Sequence, residues 1–164
     1  MRIFGSFREI GWLGALILIA IVAWQLDGFN TETFTGFAII VDGDSLEVSG
    51  ERVRLSGIDA PEALQMCTRA SGRWPCGREA ERALERLIGG AVVSCDASGT
   101  DRFDRRLATC FSGDTNLNLE MVRRGWAVPN SAYFHEADLA KEQRLGIWQG
   151  EFQYPDEWRR DNPR

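Results

Sequence analysis

Histidine and lysine are almost missing from this chain: His135 and Lys141 are the sole representatives among 164 residues. With one imidazole and no serine placed to partner it, a Ser-His-Asp triad is excluded, and His135 reads as a helix-surface residue. Zinc is the competing account of the four cysteines. Neither Cys67/Cys76 nor Cys95/Cys110 has the two-to-four-residue spacing of a zinc knuckle, and no second histidine completes a ligand set. Positive charge is also short, with 19 Lys and Arg against 24 Asp and Glu and a net charge of -5. That balance counts against tight nonspecific binding to DNA, which comes mainly from phosphate neutralisation and counterion release, but not against turnover of a weakly held polymer. Because nearly all the basic residues are arginines, bidentate contacts to single phosphates are favoured over diffuse attraction. There are no internal repeats.

One stretch lacks charge altogether. Ile10 to Leu26, IGWLGALILIAIVAWQL, is about long enough for one membrane crossing, with Trp12 and Trp24 at the positions of interfacial aromatics. A cleaved signal peptide is the rival reading. A small-x-small cleavage site is poorly formed, since Leu18 precedes Ala20 and Ile21 precedes Ala23 by two residues, so an uncleaved anchor is expected. Arg2 and Arg8 precede the run and no Lys or Arg follows until Arg52, which places residues 1–9 in the cytoplasm and the body of the chain outside. A bacterial inner-membrane protein with one span and its domain facing the periplasm is implied, secretion after cleavage being the alternative. All four cysteines lie beyond the anchor, at spacings that suit two local disulfides in an oxidising compartment.

After a linker over 27–34, Thr35–Val41, Ser45–Val48 and Arg52–Ile58 read as three strands. A two-residue turn at Ser49-Gly50 would set Val48 opposite Glu51 and Ser45 opposite Arg54. Strict pairing puts Asp44 and Arg54 on opposite faces, so a bulge or looser turn is expected if they are to meet. Residues 63–77 read as an irregular loop clipped by Cys67 and Cys76. The apolar stripe Ala80, Ala83, Leu84, Leu87, Ile88 predicts a helix from Arg78 that Gly89-Gly90 ends. Ala91–Cys95 and Leu107–Phe111 form a hairpin in which Cys95 can face Cys110. Asn118 is the expected N-cap of a short helix stopping at Gly125, and a last helix spans Phe134–Leu145. Residues 149–164 are taken as an extended tail outside the domain at 35–148. This order, three strands, helix, two strands and two helices, predicts an α+β chain with a five-stranded OB-type β-barrel and three helices, preceded by the transmembrane helix.

Four short stretches carry chemistry: Val41-Asp42-Gly43-Asp44-Ser45, Arg52-Val53-Arg54-Leu55, Ile58-Asp59-Ala60-Pro61-Glu62 and Asp101-Arg102-Phe103-Asp104-Arg105. Together they supply carboxylates for a hard cation, one further carboxylate as a base for water, and guanidinium forks for a phosphate gaining charge. That is a set suited to phosphodiester cleavage. Asp42-Gly43 alone would be an ordinary turn, and Leu46 stands where an EF-hand would need a third ligand. Pro61 fixes the backbone between Asp59 and Glu62.

In order and at similar intervals, VDGDSL, RLSGIDAPE, DRFDRRLA, NLEMVRRGWA and RLGIW resemble the motifs of the staphylococcal nuclease, or thermonuclease, family in its exported bacterial form, from about Phe37 to Trp148. The resemblance implies an OB barrel with three helices that hydrolyses DNA and RNA with one Ca²⁺ ion, Mg²⁺ being the less suited cation. It implies that Asp44, Asp59 and the Ala60 carbonyl hold the ion, with Asp42 beside it. Glu62 takes the place of the carboxylate that activates water, and Arg54 and Arg105 those of the phosphate-binding arginines. Asp104 stands where the family commonly has glycine. Pro129-Asn130-Ser131 replaces tyrosines that lie against the nucleotide, leaving Tyr133, or Phe134, for stacking. The expected partners are nucleic acid as substrate and the membrane through the N-terminal helix, with the protein a monomer. The same barrel can instead bind nucleic acid or another anionic polymer without cutting it, or act as an accessory envelope protein near surface polysaccharide.

Overall fold

Alternating apolar and polar side chains from Glu32 onward build a sheet that curls until its two ends meet. The computed structural model describes residues 17–19 and 32–163. Strands β1 (Glu32–Ile40), β2 (Ser45–Val48), β3 (Glu51–Leu55), β7 (Val92–Thr100) and β8 (Arg106–Ser112) follow one another in the order β3-β2-β1-β7-β8, and a parallel pairing of β3 with β8 closes the barrel. This is the predicted OB-type architecture. Two-residue strands β4 (Ile58–Asp59) and β10 (Val128–Pro129) pair with each other, and β9 (Thr115–Asn116) extends β8. In β7 the register shifts between Ala97 and Gly99, an irregularity that lets the strand bend around the closed barrel.

The β2–β3 hairpin follows its sequence. Ser49 and Gly50 both have positive φ, 54° and 84°, as a two-residue primed turn requires. Ser45 lies opposite Arg54 and Val48 opposite Glu51. No bulge or looser turn is needed, contrary to expectation: Asp44 lies just before the strand begins, so the pleat does not dictate which way its side chain points.

Helix α1 spans Cys76–Ile88, two residues longer at its start than its apolar stripe suggests, and ends on Gly89 at φ 60°. It buries Ala80, Ala83, Leu84 and Ile88 against the barrel core of Leu46, Val53, Leu55 and Val93. Residues 63–77 are not wholly irregular, since β5 (Cys67–Arg69) and β6 (Gly72–Trp74) form a small hairpin. Both disulfides have the expected partners, Cys67 with Cys76 and Cys95 with Cys110, the latter directly across β7 and β8.

Helix α2 (Leu117–Arg123) corrects the sequence reading of its start. Its N-cap is Asn116, whose side chain accepts from the Leu119 N–H. Asn118 is inside the helix and fully buried, where its Oδ1 accepts from the Cys110 N–H and its Nδ2 donates to the carbonyls of Ser56 and Ala108. One amide thus pins α2 to β8 and to the loop after β3. Helix α3 (Phe134–Glu142) ends three residues short of Leu145, because the chain turns through Arg144 at φ 52° into a 3₁₀ turn at Gly146–Gln149.

The largest departure is at the C-terminus, where the residues expected to be an extended tail form a fourth helix, α4 (Pro155–Asp161). Pro155 at the first helical position and Asp156 and Glu157 in the first turn favour this helix start. The approach to it is held by a second, smaller core of Cys67, Trp74, Cys76, Val128 and Ile147, on which Trp148 and Phe152 pack. Trp148, Phe152 and Tyr154 follow one another with ring centroids 5.0 and 5.4 Å apart, the first pair edge-on and the second tilted, and Thr68 and Glu151 exchange backbone hydrogen bonds of 2.8 Å. Among the described residues no helix is long and apolar enough to cross a membrane. The expected anchor at 10–26 lies outside them apart from Ile17–Ile19, which are helical.

Truncating Asn118 to alanine removes the partner of the buried Cys110 N–H and of the half-buried Ser56 carbonyl, and one of two donors to the Ala108 carbonyl, which keeps the Ser56 N–H. Asn118→Ala is expected to destabilise the protein by about 3 kcal/mol, read as a lower urea midpoint with an unchanged m-value.

Candidate active site

Asp44 is the innermost acidic residue of the cluster, 2% exposed, and a ring of donors holds its carboxylate. The backbone N–H of Ala60 donates to Oδ2 at 2.8 Å, while the Ser45 hydroxyl and Arg54 Nη1 both donate to Oδ1 at 3.0 Å. The Asp42 side chain accepts from the Asp44 N–H at 3.0 Å and so shapes the turn that presents Asp44. Gly43, between them, has no room for a side chain: a Cβ there would lie 2.7 Å from that of Ala60 and 2.9 Å from that of Ala80. Burial pushes the Asp44 carboxyl up to about 7, and Asp42 and Asp59 add to this against the pull of Arg54 and the Ala60 N–H.

Arg54, on β3, bridges two carboxylates. Its Nη1 meets Asp44 and its Nη2 donates to Asp59 Oδ1 at 2.7 Å. Burial works against the guanidinium charge, but Asp44 and Asp59 outweigh it, so Arg54 is held above its ordinary range. Asp59 ends β4 and is held in the sheet opposite Val128.

Glu62 follows the buried Pro61, and its loop is fixed by a residue without any sequence signal. Gln65, fully buried, accepts from the Glu62 N–H through its side chain at 3.3 Å, and its own N–H donates to the Glu62 carbonyl at 2.7 Å. The Gln65 carbonyl in turn accepts from the Gly77 N–H at the start of α1. Gly77 allows the close approach, because a Cβ there would come within 1.8 Å of the Glu62 carbonyl oxygen.

Arg105 reaches the cluster through Ser45. Its Nη1 donates to the Ser45 hydroxyl at 3.2 Å, while Nε and Nη2 hold Asp101 Oδ2 at 2.9 and 2.7 Å. Burial raises the Asp101 carboxyl, but hydrogen bonds from the Arg105 and Phe103 N–H groups and the Arg105 guanidinium prevail, and it lies below the usual range. Asp104 does not compete for Arg105. It points into solvent, 3.9 Å from Arg52, and occupies the left-handed region at φ 60°. A glycine suits that conformation without strain, and aspartate is among the few other residues that tolerate it.

The structure therefore brings Asp42, Asp44, Arg54, Asp59, Ala60, Glu62 and Arg105 to one region. Ala60 enters through its N–H. Tyr133, the residue before α3, has φ 63° and packs, half-buried, on the barrel core beside the Gly57 turn. Sequence reading missed Gln65 and above all Arg159 of α4, and it gave Asp101, though part of a chemistry-bearing stretch, no role of its own. Arg159 Nη2 meets Asp59 Oδ2 at 2.8 Å, and Nη1 lies 3.0 Å from both Asp59 Oδ1 and Glu62 Oε1. Those bonds keep the Arg159 charge firmly in place, with Asp59 the main partner. Its signal was the proline and acidic first turn of α4. Two guanidinium groups thus alternate with three carboxylates, and among the described residues no group of three His, Cys, Asp or Glu side chains is arranged to hold a metal ion.

The model of the staphylococcal nuclease homologue family matches residues 52–150. The chain belongs to the staphylococcal nuclease family. It is 32% identical to the succinoglycan biosynthesis protein ExoI of Rhizobium meliloti (strain 1021), over 89% of this chain and 78% of that protein. It is 30% identical to the micrococcal nuclease of Shigella flexneri, over 88% and 87%, and 31% identical to an uncharacterized endonuclease of Haemophilus influenzae, over 74% and 70%. The family match takes in Arg54, Asp59, Glu62 and Arg105, and stops before α4.

A native carboxyl titrating near 7, against 3.8 for the unfolded chain, binds a proton that the unfolded state has released. Stability from this group is therefore full at low pH and is lost as the pH rises across that window. In metal-stripped protein, wild type is expected to lose stability relative to Asp44→Asn as the pH rises from 3.8 to about 7, measured as the difference in urea midpoints.

Proposed function

We propose that this protein is a Ca²⁺-dependent nuclease that hydrolyses phosphodiester bonds of DNA or RNA outside the cytoplasmic membrane. The observation that carries the reading is the convergence of Glu62, Asp44 and Asp59 with Arg54 and Arg105 on one region of the barrel. Relatives named micrococcal nuclease and endonuclease support it. Two disulfides suit an oxidising compartment, and the apolar run at 10–26 suits a single-pass anchor or a cleaved signal. The protein is taken to work as a monomer.

The donor set fits a hard cation. Asp44 and Asp59 are buried carboxylates of like charge, and the cost of burying Asp44 ionised is a cost that a cation relieves. Asp44, Asp59 and the Ala60 carbonyl would hold Ca²⁺, with Asp42 beside them and all donors oxygen. The ion would supply charge for the phosphate oxygens as negative charge builds up. Glu62 takes a proton from the attacking water, and its loop, clamped by Gln65, holds it near Asp59. Arg54, already fixed by two carboxylates, presents N–H groups to the phosphate without reorganising. Arg105, steadied by Asp101, does the same from the other side of Ser45.

A non-cutting module for an anionic polymer of the envelope is the second reading, and the similarity to a protein named for succinoglycan biosynthesis favours it. Cleavage of a fluorescent single-stranded DNA in Ca²⁺ and in EDTA separates the two. Metal-dependent cleavage is expected, falling about 10²–10⁴-fold in Glu62→Gln and about 10²–10³-fold in Arg54→Ala. Affinity for an anionic polymer without hydrolysis would support the second reading instead.

A further inference from the structure

We infer that Arg159 is an internal counter-cation of the site: it holds Asp59 and Glu62 together from α4 and is exchanged for a divalent metal ion. The inference rests on the metal site proposed above and concerns how that site is occupied beforehand. Asp59 Oδ1 accepts from both Arg54 and Arg159, which takes up its two lone pairs, and Oδ2 accepts from Arg159. Glu62 Oε1 accepts from the same Arg159 Nη1. A carboxylate engaged in this way does not offer those lone pairs to a cation, and Glu62 does not offer that oxygen to water. One guanidinium must withdraw.

The two arginines differ in which can do so. Arg54 belongs to a barrel strand, is bound by Asp44 as well as Asp59, and its side chain is 15% exposed. Arg159 is 38% exposed and sits on a helix of seven residues beyond the family match. That helix is tied down by Gln65 Nε2 donating to the Gln153 carbonyl and Gln153 Nε2 donating to Asp161, and by the ring contacts from Trp148 to Tyr154. Arg159 can therefore swing into solvent while the barrel stays intact. Its release frees Asp59 Oδ2 and one lone pair of Oδ1, with Arg54 still on the other, and removes from between Asp59 and Glu62 a single positive charge that a divalent ion more than replaces. Docking of the Arg159 side chain and metal binding are thus mutually exclusive, and by linkage each weakens the other to the same extent.

Calorimetric titration of the full, metal-stripped chain with CaCl₂ tests this. Arg159→Gln is expected to bind Ca²⁺ about tenfold more tightly than wild type, within the usual range of coupling between sites. Arg159→Lys, which keeps the charge but loses the fork to two carboxylates, is expected to show a smaller gain in the same direction and serves should the glutamine variant fail to fold. Arg160→Gln, whose side chain pairs with Asp156 on the helix surface, is expected to match wild type. Equal or weaker binding by a folded Arg159 variant would overturn the exchange and leave the metal site standing. Absence of Ca²⁺ binding in every variant and in wild type would overturn the metal site, and the exchange with it.

Discussion

Arg54 lies between Asp44 and Asp59, and the whole site depends on that arrangement of one buried cation between two buried anions. Each charge taken from water costs several kcal/mol by itself, and the loss of one member would leave another uncompensated. The three side chains come from the β1–β2 connection, β3 and β4, so the bridge also registers three segments of the barrel against one another. Ser45 and the Ala60 N–H complete the coordination of Asp44, and through Ser45 the network extends to Arg105 on the far side. A chain that folds around such a cluster has its polar groups positioned before any substrate arrives. Arg54 stands on β3, the strand whose pairing with β8 closes the barrel, so the cluster and the closure share one element.

Features repeated along the chain were legible in the sequence. The apolar stripe of α1, the alternation of β2 and β3 around Ser49-Gly50, and the facing cysteines of β7 and β8 all follow from local periods and turn chemistry. The carboxylates Asp42, Asp44, Asp59 and Glu62 and the arginines Arg54 and Arg105 were legible too, because they cluster in short motifs. Asn118 and Gln65 were not. Each acts by a few directional bonds to backbone or side chains brought near by the fold, and a single polar residue leaves no periodic trace. Asn118 was misread as a cap because asparagine is a good cap, yet Asn116 has that role and frees Asn118 to be buried.

The C-terminal segment was misjudged for a different reason. Its charge and proline content suit a solvated tail, but Phe152, Tyr154 and Trp158 are spaced among the charges, and a second core around Trp74, Trp126 and Ile147 lies ready to hold part of them. Composition averages over these few aromatics; packing does not. The segment consequently adds a third guanidinium to a cluster whose other members lie within or just before the family match.

The disulfide beside the Glu62 turn has its own consequence. Cys67 and Cys76 bracket the stretch between the Glu62 turn and α1, and Cys76 is the first residue of the helix whose Gly77 abuts the Glu62 carbonyl. While these thiols are reduced, that stretch is held by hydrogen bonds and packing alone; once oxidised, it is covalently tied to the helix. Asp44, Arg54 and Asp59 come from the β1–β2 connection, β3 and β4, outside the stretch that this disulfide closes. How firmly the Glu62 turn is held thus depends on the redox state of Cys67 and Cys76 as well as on folding of the barrel.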